Sequence, residues 1–160
     1  MSEKPQKQPP VKPPIHIVLV EDDDNDVRII RRAIRRGHLN NTITVVRDGQ
    51  EALDYLHRRP PFDDTEAWPW PDLLLLDIHL PRINGIDVLQ MIKRDPELNT
   101  LPVLMLTTSA RREDVAMSYM RGANGFICKP IEFARFIEVI NDLNEYWTAV
   151  SRGPSDRRSG

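Results

Sequence analysis

An unbroken apolar run that stops at an acid occurs at residues 73–81, Leu73-Leu74-Leu75-Leu76-Asp77-Ile78-His79-Leu80-Pro81. Four consecutive leucines show no alternation of apolar and polar side chains, which is typical of a strand buried on both faces of a parallel sheet. Asp77 ends this strand, and open α/β sheets bind their ligands at the carboxyl ends of strands. The run therefore predicts a central parallel strand and a carboxylate at the functional edge of the sheet.

Strand-like and helix-like segments alternate on both sides of this run. Five such pairs in alternation predict an α/β fold, in which a five-stranded parallel sheet has helices on both faces and so forms three layers. Four prolines and two tryptophans in residues 59–71 indicate a long loop before the leucine strand. The predicted strands are 15–20, 42–46, 73–77, 103–106 and 125–128, and the predicted helices are 26–36, 50–58, 86–94, 112–120 and 131–147.

One domain, residues 15–150, is expected between two short polar ends. Residues 1–14 contain five prolines and are expected to be a disordered tail, and residues 151–160 are expected to be a flexible tail. The net charge is −2 and each tail carries +2, so the body carries −6, which argues against nucleic-acid binding. No apolar stretch reaches the roughly 18 residues of a membrane span. Because a signal peptide is also missing, we expect a cytoplasmic protein that does not bind membranes.

The turn after the first strand, residues 21–26, reads Glu-Asp-Asp-Asp-Asn-Asp. Nucleotide-binding folds place glycines here so that backbone N–H groups can contact phosphate, whereas five acids attract a hard cation. Capping of the following helix is the alternative, because acids stabilise a helix N-terminus. Capping requires only one or two acids, so the turn predicts a metal site, with capping left as the other interpretation.

Polar side chains also follow the fourth and fifth strands. Thr107 comes directly after an apolar strand, so its hydroxyl can reach the same edge as Asp77. Lys129 follows the last strand, and because lysines are rarely buried unpaired we expect it to meet the carboxylates. The Lys129-Pro130 bond is a candidate cis peptide.

Three further side chains have more ordinary interpretations. Phe126 is expected to be a core aromatic residue. Cys128, the only cysteine, lies in an apolar strand pattern and is expected to be a buried structural thiol. His79 is expected to be exposed beside the site, because hard cations prefer oxygen ligands to imidazole.

Taken in order, these residues resemble the receiver domain of two-component response regulators. The match consists of Glu21-Asp22, Asp77, Pro81, Gly85, Thr107 and Lys129-Pro130, and it covers about residues 15–147. The resemblance implies a flavodoxin-like, doubly wound sheet with strand order 2-1-3-4-5. The long loop before the third strand, Leu106-Thr107-Thr108-Ser109 and Glu145-Tyr146-Trp147 further resemble single-domain response regulators associated with phytochrome-type histidine kinases.

The resemblance implies a signalling role in a phosphorelay, with slow autodephosphorylation as the only turnover of its own. Asp77 would be the phosphoacceptor for a sensor histidine kinase and would form an aspartyl phosphate. Asp22, Asp77 and the backbone carbonyl of His79 would bind Mg²⁺ directly and Glu21 through water, with Mn²⁺ or Ca²⁺ as substitutes. Lys129 and Thr107 would contact phosphoryl oxygens. Thr107 and Phe126 would then form the switch of the domain.

The expected partners are a bacteriophytochrome histidine kinase and a second copy of the chain. A homodimer is expected through helices four and five or through the extension of helix five, because Phe133, Phe136, Tyr146 and Trp147 offer more apolar surface than one sheet face covers. A monomer is the alternative. Two alternative functions compete with the signalling role. The first is a metal-dependent phosphohydrolase, which commonly has an aspartate where this chain has His79. The second is a receiver-like binding module that has lost the phosphoryl-transfer chemistry.

Overall fold

The computed structural model describes residues 15–36, 41–108 and 112–150, with side chains at all of these positions except 112, 114, 115, 120 and 144–150. Five parallel strands form one sheet in the order β2-β1-β3-β4-β5, which confirms the predicted fold class and strand order. The strands are β1 His16–Val20, β2 Thr42–Val46, β3 Leu73–Asp77, β4 Val103–Thr107 and β5 Gly125–Cys128.

All five predicted helices are present, with bounds that differ by a few residues. Asp48 begins the second helix one residue early, because its carboxylate accepts the N–H of Glu51 as an N-cap. Asn84 caps the third helix in the same way through the N–H of Asp87. The helices are α1 Asp24–Arg36, α2 Gly49–Leu56, α3 Gly85–Arg94, α4 Arg112–Met120 and α5 Phe133–Val150.

Two separate apolar clusters cover the two faces of the sheet. Leu74 and Leu76 point into the cluster that contains α2 and α3, and Leu73 and Leu75 point into the cluster that contains α1 and α5. Successive side chains of a strand point to opposite faces, so a strand covered on both sides needs apolar residues at every position. All four leucines are fully buried, which explains the unbroken run.

Two apolar residues, Cys128 and Phe133, are exposed at the ends of their elements. Cys128 was predicted to be a buried thiol, but it is exposed because β5 is the edge strand and Cys128 is its last residue. Phe133, which was expected to belong to an apolar surface larger than one sheet face covers, is 42% exposed at the first residue of α5. Phe136 and Ile140, one and two turns later, supply the buried face of α5.

The long loop between α2 and β3 is held by an aromatic cluster under the amino ends of the strands. Tyr55 packs against Phe62 and Trp68 with ring centroids 5.2 and 6.1 Å apart. The Tyr55 hydroxyl donates to the carbonyl of Pro69. His16, at the start of β1, lies beside it and contacts the hydroxyls of Thr42 and Thr44 at 2.7 and 3.0 Å. Tryptophans and prolines thus close the side of the sheet opposite to Asp77.

Within the described residues, no helix combines the length and the apolar character that a membrane crossing requires. Ser109 lies outside the described residues, as do the tails 1–14 and 151–160 and the side chains of Glu145, Tyr146 and Trp147.

Candidate functional site

Four strands end at one edge of the sheet and bring their following side chains together. The backbone fixes this alignment: the Glu21 N–H donates to Val46 O at 3.0 Å, and the Lys129 N–H donates to Thr107 O at 2.7 Å. Beside Asp77, the Ile78 N–H donates to Leu106 O at 3.0 Å. Because the strands are parallel and in register, residues that are far apart in the chain must meet at this edge.

Three carboxylates at this edge are close enough to share one cation. One oxygen each from Glu21, Asp22 and Asp77 lies within 4.8 Å of the others. Glu21 is 0% and Asp77 is 4% exposed, while Asp22 faces solvent and leaves a path to the cluster. Oxygen-only donors of this charge suit a hard divalent cation such as Mg²⁺, Mn²⁺ or Ca²⁺.

The neighbouring Asp23 performs the capping role that the acidic turn also suggested. Its Oδ1 accepts the backbone N–H groups of Asn25 at 2.8 Å and Asp26 at 3.1 Å, at the start of α1. The two interpretations of the turn therefore apply to different residues, because Asp23 caps the helix while Glu21 and Asp22 face Asp77.

Lys129 lies among three carboxylates. Its Nζ is 2.5 Å from Glu21 Oε2, 2.8 Å from Asp26 Oδ2 and 3.5 Å from Asp77 Oδ2. The Lys129 side chain is only 7% exposed, so these contacts are shielded from water. The expectation that Lys129 meets the acids is confirmed, but Asp26 was not predicted as its partner. No sequence signal separates Asp26 from the other acids of the turn, because its contact with Lys129 depends on how the first turn of α1 packs.

Burial and crowding shift the protonation of the cluster. Burial raises the pKa of Glu21 to about 7; the charge of Asp77 adds to this rise, and the hydrogen bond from Lys129 opposes it. Burial also raises the pKa of Asp77, against the opposing charge of Lys129. For Lys129, burial works toward a lower pKa, but the hydrogen bonds to Asp26 and Glu21 outweigh it and raise the pKa above its usual value. Without a cation, the cluster thus holds more negative charge than its surroundings stabilise.

The loop after Asp77 approaches that residue very closely. A Cβ added to Gly85 would lie 2.0 Å from Asp77 O, so only glycine fits this position. The Gly85 N–H donates to Ile78 O at 2.8 Å and fixes the approach. His79 is exposed, as expected, and its N–H lies 3.4 Å from Asp77 Oδ1. The start of α3 therefore fixes the position of the Asp77 backbone.

The remaining predicted residues lie on β4 and β5. Thr107 is fully buried at the end of β4, next to the site. Phe126 is half-buried and packs edge-on against Tyr119 of α4, with ring centroids 5.7 Å apart, so it joins the core only in part. The peptide bond between Lys129 and Pro130 is cis.

Comparison with known proteins finds a matching family model, a similar curated protein and similar solved structures. The family model of the response regulator receiver domain matches residues 17–141. The probable methanogenesis regulatory protein FilR2 of Methanothrix harundinacea is 35% identical over 141 residues, which are 88% of each chain. The solved structure of the bacteriophytochrome response regulator RtBRR is 43% identical with a TM-score of 0.73, covering 81% of this chain and 77% of that one. The Mn²⁺-bound form of Rcp1 is 30% identical with a TM-score of 0.71, covering 86% and 97%.

Proposed function

The chain belongs to the response regulator receiver domain family, and on that premise we propose that it accepts a phosphoryl group from a sensor histidine kinase on Asp77. The observation that carries the proposal is the position of Asp77, a buried carboxylate within reach of two further acids and Lys129. A carboxylate is a competent nucleophile toward phosphorus. The product would be an aspartyl phosphate, and the message would pass on through protein contacts.

The transfer breaks the bond between phosphorus and the histidine nitrogen of the kinase and forms a bond between phosphorus and an Asp77 oxygen. Its transition state needs positioning and charge neutralisation more than covalent help from the protein. The Lys129 ammonium, 3.5 Å from Asp77 Oδ2, is placed to contact a phosphoryl oxygen. The Thr107 hydroxyl would contact a second oxygen from the adjacent strand. Slow hydrolysis of the aspartyl phosphate would be the only turnover of its own, so the protein acts as a switch.

The acid cluster has the donor set for a divalent cation, and we assign Mg²⁺ to it. Asp22, Asp77 and the backbone carbonyl of His79 would bind the ion directly, and Glu21 through water. When bound, the cation supplies the positive charge that lets a phosphorylated donor approach several acids. The Mn²⁺-bound form of Rcp1 supports a divalent ion in such a site, and Mn²⁺ or Ca²⁺ are the expected substitutes.

The read-out would run through Thr107 and Phe126. Movement of Thr107 toward the phosphoryl oxygens would free space for the half-buried Phe126 ring and change its contact with Tyr119. Such a two-state element biased by a local charge is how modification usually reaches a surface. Tyr119 and Phe133 expose 53% and 42% of their surface, which supports a homodimer through α4 and α5.

The partner kinase would be of the bacteriophytochrome type, because the similar solved structure RtBRR is a bacteriophytochrome response regulator. Such a kinase presents its phosphohistidine in the cytoplasm, where we also place this protein. Residues 15–150 would form the receiver domain with its extended last helix, with residues 1–14 and 151–160 as flexible tails. An acidic body gives no reason to add nucleic acid or a membrane as partners.

Phosphotransfer tests the proposal directly. A bacteriophytochrome kinase labelled with ³²P should pass its label to the wild-type chain in the presence of Mg²⁺. Asp77→Asn, which keeps the shape but loses the nucleophile, should take up no label. Label on the Asp77→Asn protein would contradict the assignment of the phosphoacceptor, and continuous hydrolysis of simple phosphate esters would favour a phosphohydrolase instead.

A further inference from the structure

Asp26 has a contact that neither helix capping nor the cation cluster explains. Its carboxylate lies 2.8 Å from Lys129 Nζ and is 22% exposed. Asp23 already caps α1, so the Asp26 carboxylate is free of that role. The group of oxygens able to share a cation consists of Glu21, Asp22 and Asp77, and Asp26 is not among them. Among the residues that the structure describes, the Lys129 ammonium donates a hydrogen bond to the Asp26 carboxylate.

The Lys129 ammonium has three N–H groups and meets three carboxylates. The two short contacts go to Glu21 at 2.5 Å and Asp26 at 2.8 Å, and the third, to Asp77, is 3.5 Å. A phosphoryl group bonded to Asp77 would lie on the side of that third, loosest contact. Lys129 can therefore keep both short contacts while its third N–H turns from the Asp77 oxygen to a phosphoryl oxygen.

A bound cation would make the two short contacts unequal. Glu21 belongs to the group that would share a cation, so its oxygens would be divided between a water bound to the ion and Lys129. Asp26 lies outside that group and stays available to Lys129 alone. We propose that Asp26 is a positioning residue, which holds the Lys129 ammonium beside Asp77 while the cation and the phosphoryl group occupy the site. This inference rests on the proposed phosphoacceptor function and adds a residue to it.

Two physical effects of Asp26 have opposite signs. As an acid near the site it repels an anionic phosphoryl group, but its charge is paired with Lys129 at 2.8 Å and acts at a distance only weakly. As an anchor, Asp26 holds the long Lys129 side chain in place, so that Lys129 loses less rotamer freedom when it binds the phosphoryl group. We take the anchor as the larger effect, so that loss of Asp26 weakens phosphoryl binding about tenfold, the size of one charge-assisted hydrogen bond.

Beryllofluoride with saturating Mg²⁺ is the probe, since it imitates a phosphoryl group on an aspartate and its binding can be followed by ¹⁹F NMR. Asp26→Ala should bind it about tenfold more weakly than the wild type. Asp26→Asn keeps an acceptor oxygen and should lose less than about threefold, and Asp26→Glu should restore most of the affinity. The matched control is Asp24→Ala, which removes an acid from the same helical turn but pairs with Arg47 on the surface, and should change little.

A double-mutant cycle separates positioning through Lys129 from a general effect of charge. In a Lys129→Ala background, Asp26→Ala should have no further effect, because the residue that it positions is gone. Equal or tighter beryllofluoride binding by Asp26→Ala would overturn the positioning role, and so would an equal loss in Asp24→Ala. Lack of beryllofluoride binding by the wild type would overturn the proposed function itself and this inference with it.

Discussion

Replacing Gly85 with alanine should damage the site by moving the backbone of Asp77. The added Cβ would lie 2.0 Å from Asp77 O, 2.8 Å from Asp77 C and 2.9 Å from Ile78 Cα. All three atoms belong to the backbone, so no side chain can turn away to make room. The start of α3 must instead move away by about 1 Å, because a carbon and an oxygen atom rarely approach closer than about 3 Å without strain.

The cost follows from two contacts that this movement disturbs. Strain from the extra methyl group costs about 1–3 kcal/mol, as other overpacked sites do. Weakening of the hydrogen bond from the Gly85 N–H to Ile78 O, 2.8 Å long, adds about 1 kcal/mol. Alanine regains up to about 1 kcal/mol through its higher helix propensity. The free energy of unfolding should therefore fall by about 1–3 kcal/mol.

Urea denaturation measures this change, and Gly125→Ala is the matched control. A Cβ on Gly125 would meet only the Cδ2 atom of the Leu104 side chain, at 3.1 Å, which can shift by a few tenths of an ångström. Mg²⁺ affinity of Gly85→Ala should fall about tenfold as Asp77 moves from its neighbours, whereas Gly125→Ala should bind Mg²⁺ normally. Unchanged stability together with unchanged Mg²⁺ affinity in Gly85→Ala would refute the argument that this glycine places Asp77.

Three other outcomes follow from particular contacts. Burial raises the pKa of Glu21 to about 7, so Mg²⁺ binding should release a proton and should tighten from about pH 6 to about pH 8. Calorimetry that found equal Mg²⁺ affinity at the two pH values would contradict this. Burial and the charge of Arg58 lower the pKa of His16 below 6.5, so the unfolded chain binds more protons than the folded one. The free energy of unfolding should therefore fall as pH drops through 6.5, and His16→Gln should reduce this loss. Asp48→Ala removes the α2 cap and should lower the free energy of unfolding by about 1–2 kcal/mol. Arg82→Ala should lower it by under about 1 kcal/mol, because the ion pair of Arg82 with Asp48 is exposed. Equal losses in thermal unfolding would contradict the cap as the main role of Asp48.

The fold could be predicted from the sequence because the central strands β1, β3 and β4 are almost wholly apolar and α1, α2, α3 and α5 have buried apolar faces. The four leucines before Asp77 require cover on both faces, and the helices between the strands supply it. Boundaries were less certain, since Asp48 and Asn84 begin their helices as caps through contacts that the apolar pattern does not register. The alternation of segments thus determined the architecture, and side-chain hydrogen bonds determined the ends.

The exposure of single residues depended on neighbours that the local sequence does not contain. Cys128 has the same apolar context as residues of the central strands, but β5 lies at the sheet edge and leaves its last residue exposed. Phe133 fits the spacing of the α5 core, but it begins the helix before the packed turns at Phe136 and Ile140. Local pattern gives the face on which a residue lies, and only the strand order tells whether that face is covered.

The site could be predicted because parallel strands place their carboxyl ends at one edge. This brought Glu21, Asp22, Asp77 and Lys129 together from distant parts of the chain. Asp26 was missed as a partner of Lys129, because five acids in six residues look equivalent in the sequence. Its contact with Lys129 depends on the first turn of α1, which directs its carboxylate toward the residue after β5.

The central claim is that the phosphoryl group is carried by Asp77 and by no other acid of the cluster. Borohydride reduction converts an aspartyl phosphate into homoserine, and tandem mass spectrometry then locates the modified residue. After phosphorylation by a bacteriophytochrome kinase with Mg²⁺, we expect homoserine at position 77 and unmodified residues at positions 21, 22 and 26. Homoserine at position 22 or 26, or a phosphorylated chain without any modification at position 77, would contradict the account.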